Sequence, residues 1–533
     1  MFLNTNGLIA LLGALAVFLT LAYRSFYFYD NTWDAIVYGL TRIDFYAHSH
    51  TLFINQPTQA INIFSSEWNG ELNSLFYLLC VDNEQACSFG NVEIWLLSFL
   101  GYSWLSGIFG VPAHFRFFSG LLLASTPVIL GLTTTVKGDL LASTCFAIGI
   151  GFTFRALSKE DSQNSALNLL FAYSSFGLAM GAKIIVLPFV CLTIFFLMAI
   201  FLSNKKSNWL IFLSGVFLFT IANSRYVLNY FDFEDFFNRL QSPAPSFNNI
   251  IGNLNVIIKS GSSISFLFSP PQQYYVLQYG LGFLAIPIAL WFVYSLWLKG
   301  THIYTRKKLH LQNHRYLVVI FFMIIGFSYL LINLPWRSWS FRYFTPYLLV
   351  LVTFIIAWPF HFKTSNYYRD RLLVICTIVI IMTNGIFTFL QAGEMFPVPY
   401  IVAKNQSEME RKLALHPYLL TNLNNLKEKS LEKIHDANIL LFNGINSPAL
   451  PFFGEKHQNN IELVDSLRAF KEKASTKKYH LAAITISPSP QIEEFTTVKL
   501  PGYSRIGSTS PDFRYWILFA PDEGNQTGRR VSL

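Results

Sequence analysis

The sequence predicts an α-helical polytopic membrane protein with about 11 transmembrane helices and a small extracytoplasmic α/β domain at its C-terminus. Of its 533 residues, 53% are hydrophobic and only 13% are charged, whereas soluble proteins carry about 25% charged residues. Many stretches reach the roughly 20 apolar residues that a spanning helix needs. After residue 392, helical and strand patterns alternate, which is typical of an α/β domain.

The apolar stretches set the predicted spans. They lie at 7–28, 92–110, 117–134, 139–157, 166–181, 184–203, 209–227, 277–298, 316–333, 344–362 and 372–391. The glycine-containing break at 181–183 leaves open whether 166–181 and 184–203 are two spans or one broken hairpin. The first span lacks a basic start and a small-residue cleavage site, so we expect it to be retained rather than removed as a signal peptide.

Lysine and arginine residues predict the orientation, because short cytoplasmic loops carry an excess of them. With a cytoplasmic N-terminus, the basic loops around 155–159, 205–206, 299–315 and 363–371 all fall inside. An odd number of spans then places the C-terminus outside. The net charge of +9 is therefore largely an orientation signal, and a nucleic-acid partner has little support.

The first outer loop, 29–91, is too long for a simple connection, and long loops tend to be functional. Apolar residues at helical spacing predict two short helices on the membrane surface, at 34–46 and 71–79. Cys80 and Cys87 lie in this loop on the oxidising side. Either a disulfide or two separate thiols fits them.

The tail divides the chain into two predicted domains, 1–391 and 392–533. Within the second, the pattern predicts a helix at 405–432, a strand at 438–442, a helix at 461–474 and strands at 481–486 and 515–519.

Two carboxylates at span ends are the strongest candidates for chemistry. Asp34 follows the first span and Asp139 opens the fourth. Carboxylates at membrane depth are costly and indicate a functional site. The alternative is that each only caps the helix that follows it. Asp30, four residues before Asp34, is a rival candidate for the same chemistry.

Several cations are predicted to lie on the same side of the membrane as the carboxylates. They are Arg42, Lys137, Lys183, Arg225, Arg337 and Arg342. Arginine and lysine can hold a lipid phosphate and stabilise it as it leaves, while a carboxylate can deprotonate an attacking hydroxyl. Alternatively, single cations are interfacial anchors that extend to lipid headgroups.

In these residues the chain resembles the GT-C superfamily of integral-membrane glycosyltransferases, the group of protein O-mannosyltransferases and aminoarabinose transferases of bacterial type. The pattern of Asp, then Tyr, then Arg after the first span is present as Asp34, Tyr38 and Arg42. The second family carboxylate matches Asp139. Three later segments match as well: a Gly-Leu-Ala-x-Gly-x-Lys run that ends at Lys183, an Arg-x-x-x-Asn segment that begins at Arg225, and an Arg-Tyr-x-x-Pro motif at Arg342 and Tyr343.

The resemblance implies an inverting transfer of a sugar from a polyprenyl-phosphate donor to a hydroxyl of a lipid, glycan or protein. Asp34 would act as the base, and Lys183, Arg225 and Arg342 would hold the phosphate, with Arg337 and Tyr343 beside them. Asp139, with Lys137, would position Asp34, or Asp34 and Asp139 would bind a divalent metal ion, which only some relatives use. Ala35 and Gly39 depart from the acidic residue and histidine of several branches, so the acceptor stays open.

Two other functions remain as alternatives. Many spans and buried charges also occur in transporters and lipid flippases, but those often place ionisable groups near the bilayer midplane within repeated halves. An O-antigen polymerase or ligase would also handle polyprenyl-linked glycans outside the cell. Such enzymes usually have a large late outer loop and no Asp directly after the first span.

Overall fold

The protein is a helical bundle joined to a small C-terminal sheet. The computed structural model describes residues 5–27, 30, 34–54, 56, 68–81, 84–158, 165–203, 209–233, 246–261, 314–334, 341–361, 374–375, 378–379, 381–382, 436–444, 459–486, 497–508 and 515–522. The predicted span 277–298, most of 372–391, the predicted helix 405–432 and Arg337 lie outside these residues.

Fourteen described helices precede the sheet. They are α1 Thr5–Tyr27, α2 Leu40–Ser49, α3 Asn69–Val81, α4 Phe89–Ile108, α5 Arg116–Ala124, α6 Pro127–Thr133, α7 Asp139–Leu157, α8 Ser165–Ala182, α9 Leu187–Ser203, α10 Trp209–Ala222, α11 Ser224–Phe233, α12 Phe247–Gly261, α13 His314–Asn333 and α14 Phe341–Ala357. A π-helical turn, Ala35–Gly39, leads directly into α2.

Helix α7 forms the centre of the bundle and packs on α4, α8 and α14. Its aromatic residue Phe146 lies against Phe176 of α8, with the two ring centroids 6.2 Å apart, and against Tyr347 of α14 at 5.0 Å. Aromatic rings in such tilted and edge-to-face arrangements add to the stabilisation that burial alone provides. The central position of α7 fixes the place of Asp139 at its N-terminus.

Helix α1 shows why the bundle is a membrane protein. Its residues Leu8, Leu12, Leu15 and Leu19 are about half exposed, whereas Ala10 and Ala14 face the interior. Leucines at three- and four-residue spacing form one face of a helix. Such an exposed apolar stripe, on a helix long and apolar enough to cross a membrane, is favourable against lipid and unfavourable against water. The chain is therefore an integral membrane protein.

Four helices in the described residues are long and apolar enough to cross a membrane, and six if each of two bent pairs forms one span. The bent pairs are α5 with α6, at 66°, and α10 with α11, at 54°. The predicted stretches 117–134 and 209–227 thus each contain a bend. The break at 181–183 separates two helices, α8 and α9. The predicted total of about 11 spans stays a prediction.

In the described part of the C-terminal region, five strands form one sheet, in the order β2-β1-β3-β5-β4. Their bounds are β1 Asn438–Asn443, β2 Asn460–Val464, β3 Leu481–Ile486, β4 Tyr503–Ser508 and β5 Tyr515–Pro521, and α15 spans Leu467–Thr476. The first three strands pair in parallel, and β5 runs antiparallel to β3 and β4. The predicted strands at 438–442, 481–486 and 515–519 are confirmed.

The predicted helix at 461–474 is wrong in its first half, where β2 is found, and β4 was not expected. Ser466 marks the true start of α15, because its hydroxyl accepts a hydrogen bond from the Ala469 backbone N–H at 3.2 Å. This is an ordinary helix N-cap. The short apolar run before it pairs with β1 instead of continuing the helix.

The two helices of the first outer loop are present, but α2 is not a surface helix. Every residue from Leu40 to Tyr46 is buried. Cys80 in α3 is a free thiol, so the Cys80–Cys87 disulfide is absent from the described structure.

Candidate functional site

A tightly held loop, 134–138, leads into α7 and presents Lys137. The Asp30 carboxylate accepts a hydrogen bond from the Val136 backbone N–H at 2.6 Å. The side-chain amide of Asn91 donates to the carbonyl oxygens of Lys137, at 3.0 Å, and Leu132, at 3.3 Å. Buried backbone groups require such partners, so Asp30 and Asn91 together fix the conformation of the loop.

Glycine allows other backbone segments to pack directly on this loop. A Cβ atom on Gly138 would lie 2.6 Å from the carbonyl oxygen of Ala182, at the end of α8. A Cβ atom on Gly70, in the first turn of α3, would lie 2.5 Å from the Cα atom of Gly138. A Cβ atom cannot approach other heavy atoms this closely, so both positions require glycine. The close approach brings the end of α8, and with it Lys183, towards Asp139.

Asp34 lies at the start of the π-helical turn and contacts three side chains. Its Oδ2 atom is 2.7 Å from Nη2 of Arg342 and 3.2 Å from Nζ of Lys137. Its Oδ1 atom accepts a hydrogen bond from the Tyr38 hydroxyl at 3.1 Å. The Asp34 side chain makes no capping bond to its helix. The alternative that Asp34 is only a helix cap is therefore wrong.

Arg342, at the start of α14, connects the two carboxylates. Its Nε atom is 4.0 Å from Oδ1 of Asp139, while Nη2 contacts Asp34. Oδ2 of Asp139 is 4.0 Å from Nζ of Lys183. Among the described residues neither oxygen of Asp139 accepts a hydrogen bond, so this carboxylate does not cap α7. Arg342 is also placed by Tyr343, whose hydroxyl is 3.1 Å from Nη2 and whose ring lies 5.0 Å from the guanidinium carbon.

The electrostatics of this group favour an ionised Asp34. Burial by itself would raise the pKa of Asp34, but the neighbouring charges of Lys137 and Arg342 together lower that pKa far below its usual range. Burial, together with the Asp34 charge, raises the pKa of Tyr38, so its hydroxyl stays protonated and donates to the carboxylate. In the structure Asp34 is consequently a charged hydrogen-bond acceptor.

Arg42 and Arg225 belong to a second cluster, formed by residues of the first outer loop and of α11. Nη1 of Arg42 is 3.5 Å from Oε1 of Glu71, the carboxylate in the first turn of α3. The guanidinium carbon of Arg225 lies 5.5 Å from the ring centroid of Trp68, a cation–π contact. Tyr46 interacts electrostatically with both arginines and with Glu71. This second cluster joins α2, α3 and α11.

The structure thus separates the predicted site residues into two groups. The first group, which we call the carboxylate–cation cluster, consists of Asp34, Tyr38, Lys137, Asp139, Lys183, Arg342 and Tyr343. Arg42 and Arg225 lie in the second cluster, and Arg337 lies outside the described residues. Sequence reasoning missed Glu71 and Trp68, although an acidic residue at the start of an apolar helix is a signal. Arg225 and Arg342 are both buried, so neither is an interfacial anchor.

Asp30 has different surroundings from Asp34. It is buried, its carboxylate holds the Val136 backbone N–H, and it interacts electrostatically with Arg24 in α1. These contacts indicate a residue that fixes the 134–138 loop.

The residues that the structure describes around Asp34 and Asp139 do not fit a divalent metal ion. The described part of the chain contains no group of three His, Cys, Asp or Glu side chains that could serve as ligands. The two carboxylates that could have held an ion, Asp34 and Asp139, face Arg342, Lys137 and Lys183 instead. A divalent cation would add positive charge beside three cations, of which Arg342 contacts both carboxylates, Lys137 contacts Asp34 and Lys183 contacts Asp139.

Comparison with solved structures shows the fold. The chain is similar to ArnT from Cupriavidus metallidurans bound to undecaprenyl phosphate, with a TM-score of 0.55 and 12% identity, over 97% of this chain and 98% of that one. Apo ArnT gives a TM-score of 0.53 at 12% identity, over 96% and 98%. The chain therefore shares its fold with ArnT, which agrees with the fold that the sequence resemblance implied.

The arabinofuranosyltransferase AftD from Mycobacteria is also similar, with a TM-score of 0.47 and 12% identity, over 96% of this chain and 40% of that one. No protein-family model matches the chain, and no curated protein matches it.

Proposed function

We propose that the protein is an inverting glycosyltransferase that moves a sugar from a polyprenyl-phosphate donor to a hydroxyl of a lipid, glycan or protein acceptor. The observation that carries the proposal is the carboxylate–cation cluster, in which Arg342 contacts both Asp34 and Asp139. The similarity in fold to a protein bound to undecaprenyl phosphate supports the class of donor.

The donor phosphate would bind Arg342, Lys137 and Lys183. Guanidinium groups bind phosphate through two parallel N–H···O bonds, and ammonium groups add point charges. Arg342 is buried, and a charge in a low-dielectric surrounding interacts more strongly with phosphate than the same charge in water. The same three cations would stabilise the negative charge that develops on the phosphate as it leaves.

Asp34 would become an effective base only when the donor is bound. In the structure Arg342 and Lys137 contact Oδ2 of Asp34, and a carboxylate so paired holds a proton weakly. A donor phosphate would compete with Asp34 for both cations. As these contacts weaken, the proton affinity of Asp34 rises towards the value that general-base catalysis requires.

The chemical step then balances as a single displacement. Asp34 takes the proton of the acceptor hydroxyl, and the oxygen forms a bond to the anomeric carbon. The bond from that carbon to the phosphate oxygen breaks, and its electron pair leaves with the polyprenyl phosphate. Because attack and departure are on opposite faces, the anomeric configuration inverts. Asp139 would act by holding Arg342 and Lys183 in place.

The reaction would take place on the extracytoplasmic face. Asp34 follows the end of α1, Lys183 follows the end of α8, and Asp139 and Arg342 begin α7 and α14. The contacts among these residues place all four helix ends at one end of the bundle. The lysine and arginine bias of the loops predicts that this end is external, with the N-terminus inside and the C-terminal domain outside.

Purified protein incubated with a panel of polyprenyl-phosphate sugars tests the proposal. Release of polyprenyl phosphate together with a glycosylated acceptor from a membrane extract is the expected result. Nuclear magnetic resonance of the product should show the anomeric configuration opposite to that of the donor. Failure to consume any donor, or retention of configuration, would contradict the proposal.

A further inference from the structure

We propose that the C-terminal sheet is a positioning part of the catalytic site, which holds α2 and therefore Asp34 in place. The expected effect of the sheet on catalysis rests on the proposed function, whereas its role in holding α2 in place does not. The carboxylate–cation cluster itself contains no residue of the sheet, so the influence would pass through packing.

One face of β1, β2 and β3 packs against the first outer loop. Alternate residues of β1 divide between two apolar clusters, as the pleat of a strand requires. Leu440 and Phe442 face the domain's own helix α15, together with Phe470. Ile439 and Leu441 instead belong to a cluster with residues of the first outer loop.

The strand register extends this second face across the sheet. Ile461, Ile439 and Leu481 are paired neighbours in one row, and Leu463, Leu441, Ala483 and Leu518 form the next. Each of these residues is at most 3% exposed. Because these apolar side chains are removed from water, the contact stabilises the sheet and the loop together.

The same apolar cluster reaches both sides of the carboxylate–cation cluster. It contains Ala35, which follows Asp34, and Val136, which precedes Lys137. Ile43 and Tyr46 of α2 belong to it as well. Since the π-helical turn joins Asp34 to α2 without a break, any shift of α2 would move the Asp34 carboxylate relative to Arg342.

A polar contact fixes the edge of the sheet to the same loop. The Leu463 backbone N–H, on the edge strand β2, donates a hydrogen bond to Oε1 of Gln56 at 3.0 Å. Edge strands expose unpaired backbone groups, and here the first outer loop supplies the partner. Gln56 lies seven residues beyond the C-terminal end of α2. The sheet therefore contacts the first outer loop at α2 and again at Gln56.

Two neighbouring leucines provide a matched test. Leu441→Ala creates a cavity on the face towards α2, and Leu440→Ala creates one on the face towards α15. Both leucines are fully buried in β1, so the two variants should lose similar thermal stability. Hydrogen exchange of residues 35–49 should accelerate in Leu441→Ala and not in Leu440→Ala.

The kinetic comparison tests the positioning role. A displacement of about 1 Å can cost about 100-fold in rate, so we expect Leu441→Ala to lower kcat by about tenfold or more. The donor KM should stay within about twofold, since the phosphate-binding cations are unchanged. Leu440→Ala should change kcat by less than about threefold. Leu441→Met, which keeps the volume, should restore kcat.

Gln56→Ala is a milder perturbation of the same contact, for use if Leu441→Ala does not fold. It should also accelerate hydrogen exchange of residues 35–49. Equal effects of the two leucine variants on kcat, or unchanged exchange of residues 35–49 in Leu441→Ala, would overturn the inference. If the wild-type protein uses no polyprenyl-phosphate donor, the proposed function fails, while the exchange data still decide whether the sheet holds α2.

Discussion

Replacement of Arg342 by alanine should impair both stability and transfer. Arg342 contacts Asp34 at 2.7 Å and Asp139 at 4.0 Å, so its removal leaves two carboxylates without their shared cation. Breaking a buried ion pair from one side costs about 3–5 kcal/mol. The Asp34 side chain is 23% exposed and keeps Lys137, so we expect a loss near the lower end, about 3 kcal/mol.

The effect on transfer follows from the lost phosphate contact. Hydrogen bonds to charged groups contribute about 1.5–3 kcal/mol, which corresponds to a decrease of about 10- to 150-fold in kcat/KM. Arg342→Lys should recover only part of this, because an ammonium group cannot replace a bidentate guanidinium. Steady-state kinetics with a polyprenyl-phosphate sugar, together with thermal unfolding in detergent, measure both effects.

Arg116→Ala is the matched control. Arg116, the first residue of α5, donates from Nε to the carbonyl oxygen of Val111 at 2.9 Å. Its side chain packs next to Gly107 at the C-terminal end of α4, whereas Asn91, which holds the 134–138 loop, lies at the N-terminal end of α4. This variant should lose stability without a comparable loss of kcat/KM. Wild-type turnover by Arg342→Ala would refute the phosphate-binding role of Arg342 and make Arg337 the next candidate.

Three further predictions concern Lys137, Gly138 and the orientation of the chain in the membrane. Lys137 lowers the pKa of Asp34, so removing its charge should raise that pKa. The acidic limb of kcat/KM reports the pKa of the base in the free enzyme, so Lys137→Met should move this limb to higher pH, and an unmoved limb would contradict the assignment. Gly138→Ala should lower the melting temperature more than Gly13→Ala, since a Cβ atom at Gly138 meets the Ala182 backbone whereas one at Gly13 meets only a leucine methyl group at 3.1 Å. In the variant Ser510→Cys, the new thiol should react with an impermeant reagent in intact cells. Labelling only after lysis would show that the C-terminal tail is cytoplasmic and contradict the predicted orientation.

The sequence predicted the helices best where apolar periodicity and a polar end coincide. The stretch 139–157 matches α7 in both bounds, because Asp139 and the residues after Leu157 bracket a continuous apolar run. The bends within 117–134 and 209–227 were not predicted. The residues at these bends are Ser125 with Thr126 and Asn223, and so few polar residues do not bring the mean hydropathy of the whole stretch below that of a span.

The carboxylate–cation cluster could be anticipated from order and topology alone. Asp34, Asp139, Lys183 and Arg342 were all expected at span ends on one face. In the structure Arg342 pairs with Asp34 and Asp139, and Lys183 pairs with Asp139. The partners of Arg42 and Arg225 could not be anticipated. Their contacts with Glu71 and Trp68 depend on how α3 folds back over the bundle, which no local pattern encodes.

The burial of α2 was the largest departure from expectation. A helix with apolar and polar residues at helical spacing favours a membrane surface, yet Arg42 and Asp44 are buried along with the apolar positions. What the sequence did not show is that one face of β1, β2 and β3 packs against this loop and buries α2. The sheet pairing that creates that face includes β2, a strand whose sequence also fits the start of a helix.

Transfer by Asp34→Asn is the most direct test of the central claim. Asparagine keeps the size of the side chain but cannot accept the hydroxyl proton, and general-base catalysis contributes about 100- to 10,000-fold. We predict a loss of kcat of that order in a protein that still binds polyprenyl phosphate. Asp30→Asn, measured beside it, should lower kcat much less because Asp30 holds only the 134–138 loop, and Asp139→Asn should fall between the two. An Asp34→Asn protein that transfers sugar at the wild-type rate would contradict the account.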